Sequence, residues 1–336
     1  MAKIDVVVLK LFLTLLAIGQ PGTGIEPNVR HSFSSDQPES VMEFRIKNNS
    51  LHLVVSAQGA EPQSLYGVQS GLEYLWQGDP KFWSSRSPIL FPIIGRVKDG
   101  KYSWQGKTYS ISIPHGFAKD LPFELESRDT VRLTFLLKSC EETRKQYPFD
   151  FQFRVEYVLE DASLDIRFRV DNTGTQPMPF AWGAHPGFRV PLADGEKFED
   201  YRFEFADKES PQRLLLDGVF MAGKESPFAL KGGRSLAMSR RIFDDEAIIL
   251  QNIQNRTIFL VDPDDHRRWS LSFDDFEFLA LWQPENSEAP FVSLEPWSGL
   301  PDPSDKAICE LDEKIGMKTV SPGDFADAKL RFTLLD

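Results

Sequence analysis

Two neighbouring stretches in the middle of the chain alternate apolar and polar residues strictly enough to constrain the fold. Residues 151–158 read FQFRVEYV and residues 163–170 read SLDIRFRV. A period of two places apolar side chains on one face and charged ones on the other, which is the pattern of a half-buried β-strand. Glu160-Asp161-Ala162 offers a turn between the two stretches, so the sequence predicts an antiparallel hairpin.

Short strand-like runs recur along the rest of the chain, and helical periodicity is scarce. A second hairpin is predicted at residues 102–109 around Gln105-Gly106, and one short helix at residues 304–315, capped by Ser304. The other predicted strands are residues 42–47, 51–55, 131–137, 202–205, 247–253, 257–261, 269–273, 278–282, 291–294 and 330–335. Many short strands separated by turn residues are typical of a sandwich or barrel. We therefore predict an all-β fold, with residues 42–336 forming one domain because no linker divides them.

The first 41 residues do not continue this pattern. Residues 6–18 are mostly apolar, but a membrane-spanning helix needs roughly 20 such residues, so we expect no membrane span here. The run is compatible with a weak signal peptide. Residues 22–40 are instead rich in Gly, Pro and Ser, as in a disordered extension. We expect an N-terminal extension on a cytoplasmic protein, with export as the alternative.

Composition and missing motifs exclude several functional classes. The net charge of −12 argues against nucleic acid or an anionic membrane surface as a partner, because both are polyanions. Cys140 and Cys309 are too few for a disulfide framework and are expected to be two buried or half-buried thiols, with a single bridge between them as the alternative. The chain has no CxxC or HExxH motif, and no Walker, GxGxxG or GxSxG motif. The sequence therefore predicts no metal and no nucleotide cofactor.

Three side chains that can transfer protons near neutral pH lie in distinctive surroundings. His115 lies in IPHGFA, His185 in AWGAHPGF and Glu295 in LEPWSG. Pro and Gly follow His185 and break any ladder there, so we predict that it ends a strand and faces a cleft. Glu295 is predicted at the end of a strand because Pro296 follows it. Each residue is also compatible with a purely structural role, and such a role is assigned to the remaining histidines: His31, His52 and His266.

Other residues near these motifs suit a polar ligand. Arg96 follows an apolar run that should be buried, so its guanidinium should need a carboxylate or ligand hydroxyls as partners. Trp297, two residues after Glu295, offers a flat apolar face of the kind on which a sugar ring packs. In the acidic cluster 244–246, Asp245 or Glu246 could reach a ligand hydroxyl, although such clusters are more often solvated turns. Two imidazoles, a carboxylate and flat aromatic faces together suggest acid–base chemistry on a carbohydrate.

The same motifs, taken in order, resemble the aldose 1-epimerase family, and most closely its galactose mutarotase-like subgroup often found in lactose operons. The resemblance extends from about Met42 to the C-terminus. It rests on residues 88–97 (PILFPIIGRV), 115–118 (HGFA), 185–188 (HPGF) and 295–297 (EPW), with Gly299 and Asp302. Each motif is short, but their joint occurrence in this order is specific.

The resemblance implies a large antiparallel β-supersandwich with an open sugar cleft and no metal or organic cofactor. It implies that His185 is the general acid, that Glu295 is the general base, and that His115 and Arg96 bind the sugar. An acidic residue that binds sugar hydroxyls in relatives has its nearest match in Asp245 or Glu246. The family pattern usually has Arg after HGFA, whereas this chain has Lys119, and this difference bears on the choice of substrate.

Anomer interconversion has clear chemical requirements. The cyclic hemiacetal opens when a base removes the proton from the C1 hydroxyl and an acid protonates the ring oxygen. Rotation about C1–C2 followed by reclosure then yields the other anomer. A carboxylate with a pKa near ~4.3 suits the first task and an imidazolium with a pKa near ~6.5 the second. We expect the nearby carboxylate to favour the imidazolium.

Three other functions remain open at this stage. A hexose-6-phosphate 1-epimerase would need a basic phosphate pocket beyond Arg96, for which Lys119 is a candidate. A non-catalytic carbohydrate-binding protein would not need both His185 and Glu295. A polysaccharide-active enzyme would be more plausible if the N-terminal segment were an export signal.

Overall fold

The computed structural model describes residues 42–244 and 247–335 of the 336-residue chain. Within them, every strand predicted from alternation is present, most with ends shifted by a few residues. The first twelve strands are β1 (Glu43–Lys47), β2 (Leu51–Ser56), β3 (Pro62–Gly67), β4 (Ile89–Leu90), β5 (Lys101–Trp104), β6 (Lys107–Ser110), β7 (Glu124–Arg128), β8 (Arg132–Lys138), β9 (Phe151–Glu160), β10 (Ser163–Asn172), β11 (Met178–Phe180) and β12 (Gly183–Ala184). Both predicted hairpins are confirmed, β5–β6 and β9–β10.

The second half of the chain is also made of strands. They are β13 (Gly187–Arg189), β14 (Arg202–Phe205), β15 (Gln212–Asp217), β16 (Phe220–Pro227), β17 (Ser235–Ala237), β18 (Ile248–Gln251), β19 (Thr257–Val261), β20 (Arg267–Ser272), β21 (Phe278–Trp282), β22 (Phe291–Trp297), β23 (Lys318–Val320) and β24 (Phe325–Leu334). The described helices are α1 (Glu141–Gln146) and the 3-10 turns Lys98–Gly100, Ala118–Asp120, Phe198–Asp200, Arg240–Phe243 and Leu311–Glu313. None of the described helices is long and apolar enough to span a membrane.

Two large antiparallel sheets dominate the architecture, which confirms the predicted all-β sandwich. One has nine strands in the order β17-β14-β19-β20-β24-β10-β9-β8-β7. The other has eight, in the order β16-β15-β18-β21-β22-β12-β4, with β13 pairing with β22 off this path. Three smaller sheets complete it: β1-β2-β3, β11-β23 and β5-β6. The described residues belong to one compact unit.

Aromatic side chains fill the space between the two large sheets. Phe188 of β13 lies with its ring centroid 4.4 Å from that of Trp269 in β20, and Phe91, next to β4, stacks on Phe153 of β9 at 4.5 Å. All four side chains are buried. Removing such a side chain from water contributes roughly 1.5–3 kcal/mol, so this layer fixes how the sheets face each other.

Strand β22 is buried on both faces, and this arrangement forms the floor of the site. Val292 and Leu294 join the main core between the sheets. The alternate residues project from the opposite face of the pleat, and among them are Glu295 and Trp297. Trp297 belongs to a second apolar cluster on that face, together with residues of β18 and β21.

Two expectations about local structure are wrong. Glu295 does not end its strand, because Pro296 and Trp297 stay paired with Leu279 and Phe278 of β21. The helix predicted at residues 304–315 is only the 3-10 turn Leu311–Glu313. Part of that segment instead runs beside β5, where Glu310 pairs with Ser103 and its carboxylate accepts from the N–H of Gln105. Tertiary hydrogen bonds have replaced those of a local helix.

The two cysteines are free thiols, as predicted, and Cys309 is buried as expected, but Cys140 is exposed, contrary to the prediction. The proposed N-terminal extension, residues 1–41, lies outside the described residues.

Candidate active site

A cleft of about 430 Å³ opens over the face of the eight-stranded sheet that carries Glu295. Five of the seven predicted site residues line it: Arg96, His115, His185, Glu295 and Trp297. Depressions of about 450 and 570 Å³ lie on other sheets, so volume alone does not distinguish this cleft. Its distinguishing feature is the convergence of two imidazoles and a carboxylate.

Glu295 lies at the bottom of the cleft and is 1% exposed. Its Cα partner on β21 is Ala280, whose small side chain leaves room beside the carboxylate. Its Oε2 atom has no hydrogen-bond partner among the described residues. Burial raises the pKa of the Glu295 carboxyl well above its usual value, and the nearby indole N–H of Trp297 opposes this rise with a smaller effect. The indole Nε1 of Trp297 is buried and makes no hydrogen bond within the described residues.

His185 follows β12 directly and faces the cleft, as predicted. Its backbone N–H donates to the carbonyl of Pro88 at 2.9 Å, which fixes the strand end. Its Nε2 lies 3.2 Å from Oε2 of Glu295. Burial lowers the pKa of His185 well below its usual value, with a further lowering by His115 and Lys119 and an opposing effect of its own backbone. The expectation that the carboxylate would favour the imidazolium is therefore wrong, because desolvation outweighs it.

His115 is held in a left-handed turn with φ of 63°. Its N–H donates to the carbonyl of Gly95 at 2.7 Å, and the N–H of Gly95 donates to its Nδ1 at 3.2 Å. Since Nδ1 accepts this hydrogen bond, the neutral ring carries its proton on Nε2. Burial, followed by the positive charges of Lys119 and Arg96, lowers the pKa of His115 to about 3. His115 is therefore a neutral hydrogen-bond donor in the cleft.

Glycines make the close approach of these loops possible. A Cβ atom on Gly95 would lie 2.3 Å from Cγ of Pro301, and one on Gly116 would lie 2.3 Å from the carbonyl oxygen of Phe91. Both glycines also have positive φ. The GR and HG dipeptides of the sequence motifs are thus required by backbone geometry as well as by side-chain chemistry.

Arg96 lines the cleft, and the apolar run before it is buried as predicted. Its side chain is exposed, while its carbonyl accepts from the N–H of Asp302 at 3.0 Å. The apolar run before it is buried through Ile94, and the chain turns outward at Gly95. The guanidinium is therefore presented to the cleft and to solvent.

The three donor residues do not fit a metal ion. One atom each from His115, His185 and Glu295 lies within 4.8 Å of the others, which is close enough to consider a site. However, the Nδ1 lone pair of His115 is occupied by the N–H of Gly95, and its Nε2 then carries a proton. A ligating imidazole needs a free nitrogen lone pair. Only His185 and Glu295 of this cluster keep one available.

Asp245 and Glu246, the candidate acidic ligands, lie outside the described residues. Ala247, which follows them, lines the cleft.

Sequence reasoning missed several residues that line the cleft. Trp83 and Trp282 place their ring centroids 4.8 and 5.4 Å from that of His185. Glu285 lies in the loop after β21, and Val219 in the turn between β15 and β16. Adjacent aromatic residues such as Phe82 and Trp83 are typical of a hydrophobic core, so the local sequence did not identify Trp83 as a cleft residue.

Comparison with known proteins identifies relatives over most of the chain. The family model described as aldose 1-epimerase matches residues 42–333. The chain is 34% identical over 303 residues to the chromosomal protein LacX of Lactococcus lactis subsp. lactis, an alignment that covers 88% of this chain and 100% of LacX.

Two solved structures are similar to this one in both sequence and fold. One is a galactose mutarotase-related enzyme from Lactobacillus acidophilus, with a TM-score of 0.81 and 33% identity over 88% of this chain and 98% of that one. The other is a galactose mutarotase-like protein from Lactobacillus casei, with a TM-score of 0.82 and 33% identity over 87% of this chain and 100% of that one.

Proposed function

Because the chain belongs to the aldose 1-epimerase family, we propose that it interconverts the α and β anomers of an aldohexose by acid–base ring opening and reclosure. One observation carries this proposal. His185 Nε2 and Glu295 Oε2 lie 3.2 Å apart at the floor of a cleft that is large enough for a sugar.

The proposed reaction conserves protons and bonds. Glu295 removes the proton of the C1 hydroxyl while His185 donates a proton to the ring oxygen, and the bond between C1 and the ring oxygen breaks. The C1 carbonyl turns about C1–C2. The two residues then run in reverse, and the ring closes on the other face of the carbonyl. Ring opening therefore moves one proton from His185 to Glu295 by way of the sugar.

Burial adapts both residues to these tasks. A carboxylate with a raised pKa is a stronger base, and an imidazolium with a lowered pKa is a stronger acid. In ring opening His185 loses a proton and Glu295 gains one, and desolvation of the two side chains favours both changes.

The other cleft residues suit sugar binding. His115 presents its Nε2–H to a hydroxyl or to the ring oxygen, because Gly95 occupies Nδ1. Arg96 offers a guanidinium to hydroxyl oxygens. The ring centroid of Trp297 lies 5.5 Å from that of His115, so its indole forms part of the wall against which a pyranose would pack.

Charges in the cleft favour a neutral sugar over a phosphorylated one. Among the described residues that line the cleft, the positive charge of Arg96 is offset by the negative charge of Glu285. The positive charge of Lys119 helps to lower the pKa of His115, but the Lys119 ammonium forms an ion pair with Asp120 at 2.5 Å. A dianionic phosphate would need more free positive charge than this arrangement supplies.

Exchange NMR of the purified protein with galactose, glucose and glucose 6-phosphate tests the proposal. We expect anomeric exchange to be accelerated for a neutral hexose and much less for the phosphorylated sugar. Preferential acceleration of glucose 6-phosphate exchange would instead identify a hexose-6-phosphate 1-epimerase. Saturable binding without acceleration of any sugar would identify a non-catalytic binding protein and contradict the proposal.

A further inference from the structure

His185 lacks the restraint that usually orients an imidazole used for proton transfer. Such a ring commonly donates its second N–H to a carbonyl or carboxylate, which fixes both its tautomer and its orientation. Here Nδ1 of His185 is buried and has no hydrogen-bond partner among residues 42–244 and 247–335. Something other than a hydrogen bond to Nδ1 must hold this ring.

A series of nearly parallel rings leads from the interior of the protein to His185. Trp76 stacks on Phe291 with centroids 4.7 Å apart and planes inclined by 23°. Phe291 stacks on Trp83 at 5.6 Å and 21°, and Trp83 meets His185 at 4.8 Å and 31°. Trp76 and Phe291 are buried, so the inner end of the series is rigid.

The backbone around Trp83 is also fixed, and the HPG motif leaves space for its ring. The indole N–H of Trp76 donates to the carbonyl of Trp83 at 2.8 Å. A Cβ atom on Gly187, two residues after His185, would lie 3.1 Å from Cζ3 of Trp83 and 3.1 Å from Cβ of Trp76. A larger residue at position 187 would therefore push the Trp83 ring away from its place beside His185.

We propose that Trp83 is a positioning residue, whose ring holds the His185 imidazole in line with Glu295 in place of a hydrogen bond to Nδ1. The proposal rests on the proposed function for its effect on catalysis, but the ring contact itself is independent of it. Trp282 contacts the same imidazole nearly edge-on, at an interplanar angle of 77°, and so covers another side of the His185 ring. Trp282 also meets Phe291, at 6.1 Å and 54°, whereas Trp83 stacks on Phe291 at 21° and so continues the series to Trp76.

Replacement of Trp83 by Leu, compared with replacement by Phe, tests this role. Trp83→Leu removes the flat face, and we expect kcat to fall about 10- to 100-fold with KM changed little, since misplacing a reacting group costs rate more than binding. Trp83→Phe keeps a ring there and should retain most of the kcat. A fall in kcat/KM that arises wholly from a higher KM would mean that Trp83 only contacts the bound sugar, and would overturn the proposal.

NMR of the histidine ring protons gives a readout that needs no activity. The chain has five histidines, and the His185 signals can be assigned with His185→Asn. In Trp83→Leu we expect those signals to lose the ring-current shift, and the titration of His185 to move toward neutral pH as water enters. The variant leaves unchanged the charged or titratable groups near His185, which are His115, Glu295, Lys119, Arg96 and Glu285. Unchanged His185 signals would overturn the proposal even if the wild-type protein catalysed nothing.

Two further variants separate this role from alternatives. Phe82→Leu alters a ring that packs on Trp76 in the same cluster, whereas the described ring contacts of His185 are with Trp83, His115 and Trp282, so this variant should leave kcat unchanged. Ser293→Ala removes a buried hydroxyl on β22 that lacks a partner among the described residues and that could hold His185 through water. Loss of kcat in Ser293→Ala but not in Trp83→Leu would show a hydroxyl relay and contradict the proposal.

Discussion

Two pairs, each of an acidic and a basic side chain, lie near the Arg96 segment, and they are built in different ways. Asp302 and Lys314 form an ion pair in which both side chains are almost wholly inaccessible. The carboxylate of Asp302 also accepts from the N–H of Lys98 at 2.8 Å, and its carbonyl accepts from the N–H of Met221 at 2.9 Å. In the His185–Glu295 pair the side chains are 12% and 2% exposed, and although Nε2 and Oε2 lie 3.2 Å apart, neither Nδ1 of His185 nor Oε2 of Glu295 makes a hydrogen bond within the described residues.

The difference is the one expected between a pair that stabilises the fold and a pair proposed to act on a substrate. A buried polar group whose hydrogen bonds are satisfied joins segments together, and Asp302 joins the Arg96 loop to β16 and to the segment after β22. A buried polar group left unsatisfied costs stability, and such groups concentrate where a substrate supplies the missing partners. We therefore expect the two pairs to respond oppositely to mutation.

The largest expected effect is on catalysis at the unsatisfied pair. Glu295→Gln and His185→Asn should each lower the proposed anomer interconversion about 10²–10⁴-fold, since each removes one of the two proposed general catalysts. Neither should reduce the free energy of unfolding, because neither group is satisfied in the folded protein. Polarimetry or exchange NMR measures the first effect and urea denaturation the second.

His52→Asn is the matched control for the histidine variant. His52 lies on β2, is exposed and does not line the cleft, so its replacement should leave the rate unchanged. Full activity in Glu295→Gln or His185→Asn would refute the assigned roles.

At the satisfied pair the expected effect is on stability. Lys314→Met leaves the carboxylate of Asp302 buried without its cation, which should cost about 3–5 kcal/mol of unfolding free energy. The double variant Asp302→Asn with Lys314→Met should recover most of this loss, because the amide oxygen still accepts from Lys98. Urea denaturation of the two proteins checks the prediction. Equal stability of Lys314→Met and the wild type would show that the pair does not hold the segments together.

A smaller effect is expected at the exposed cation that the structural pair supports. Arg96→Ala should raise KM roughly 10- to 100-fold with little change in kcat, because a hydrogen bond to a charged group is lost in the ground state and transition state alike. Arg96→Lys, which keeps the charge but not the planar fork, should be intermediate. A fall in kcat at unchanged KM would instead place Arg96 in the chemical step.

The smallest effect is on the pH dependence of stability. Because the pKa of His115 falls from 6.5 to about 3 on folding, the unfolded chain binds more protons between these values. Stability is then fully present above pH 6.5 and is lost as the pH falls. Between pH 7.5 and 5.5 this group alone should remove about 1.4 kcal/mol, and His115→Gln should abolish that share. Urea denaturation at both pH values measures it; an unchanged pH dependence would contradict a neutral, buried His115.

Local patterns in the sequence were sufficient for the strands and for the motifs. Alternation in residues 151–158 and 163–170 predicted β9 and β10 because one face of each strand meets the core and the other meets water. Alternation was uninformative in β22, which is buried on both faces, so the strand was predicted too short and Glu295 was placed at its end. The helix predicted at residues 304–315 is wrong because the buried ion pair between Lys314 and Asp302 depends on tertiary packing, which no local pattern in residues 304–315 reveals.

Residue identity alone determined that this chain folds as an antiparallel β-protein and carries a base, an acid and sugar-binding candidates, because pattern and functional groups are properties of short segments. Only the tertiary structure decided that Glu295 and His185 share one desolvated cleft, that Arg96 is exposed, and that Trp83 lies beside His185. Burial and distance are set by contacts between segments far apart in the chain. For the same reason the direction of each pKa shift could be obtained only from the folded protein.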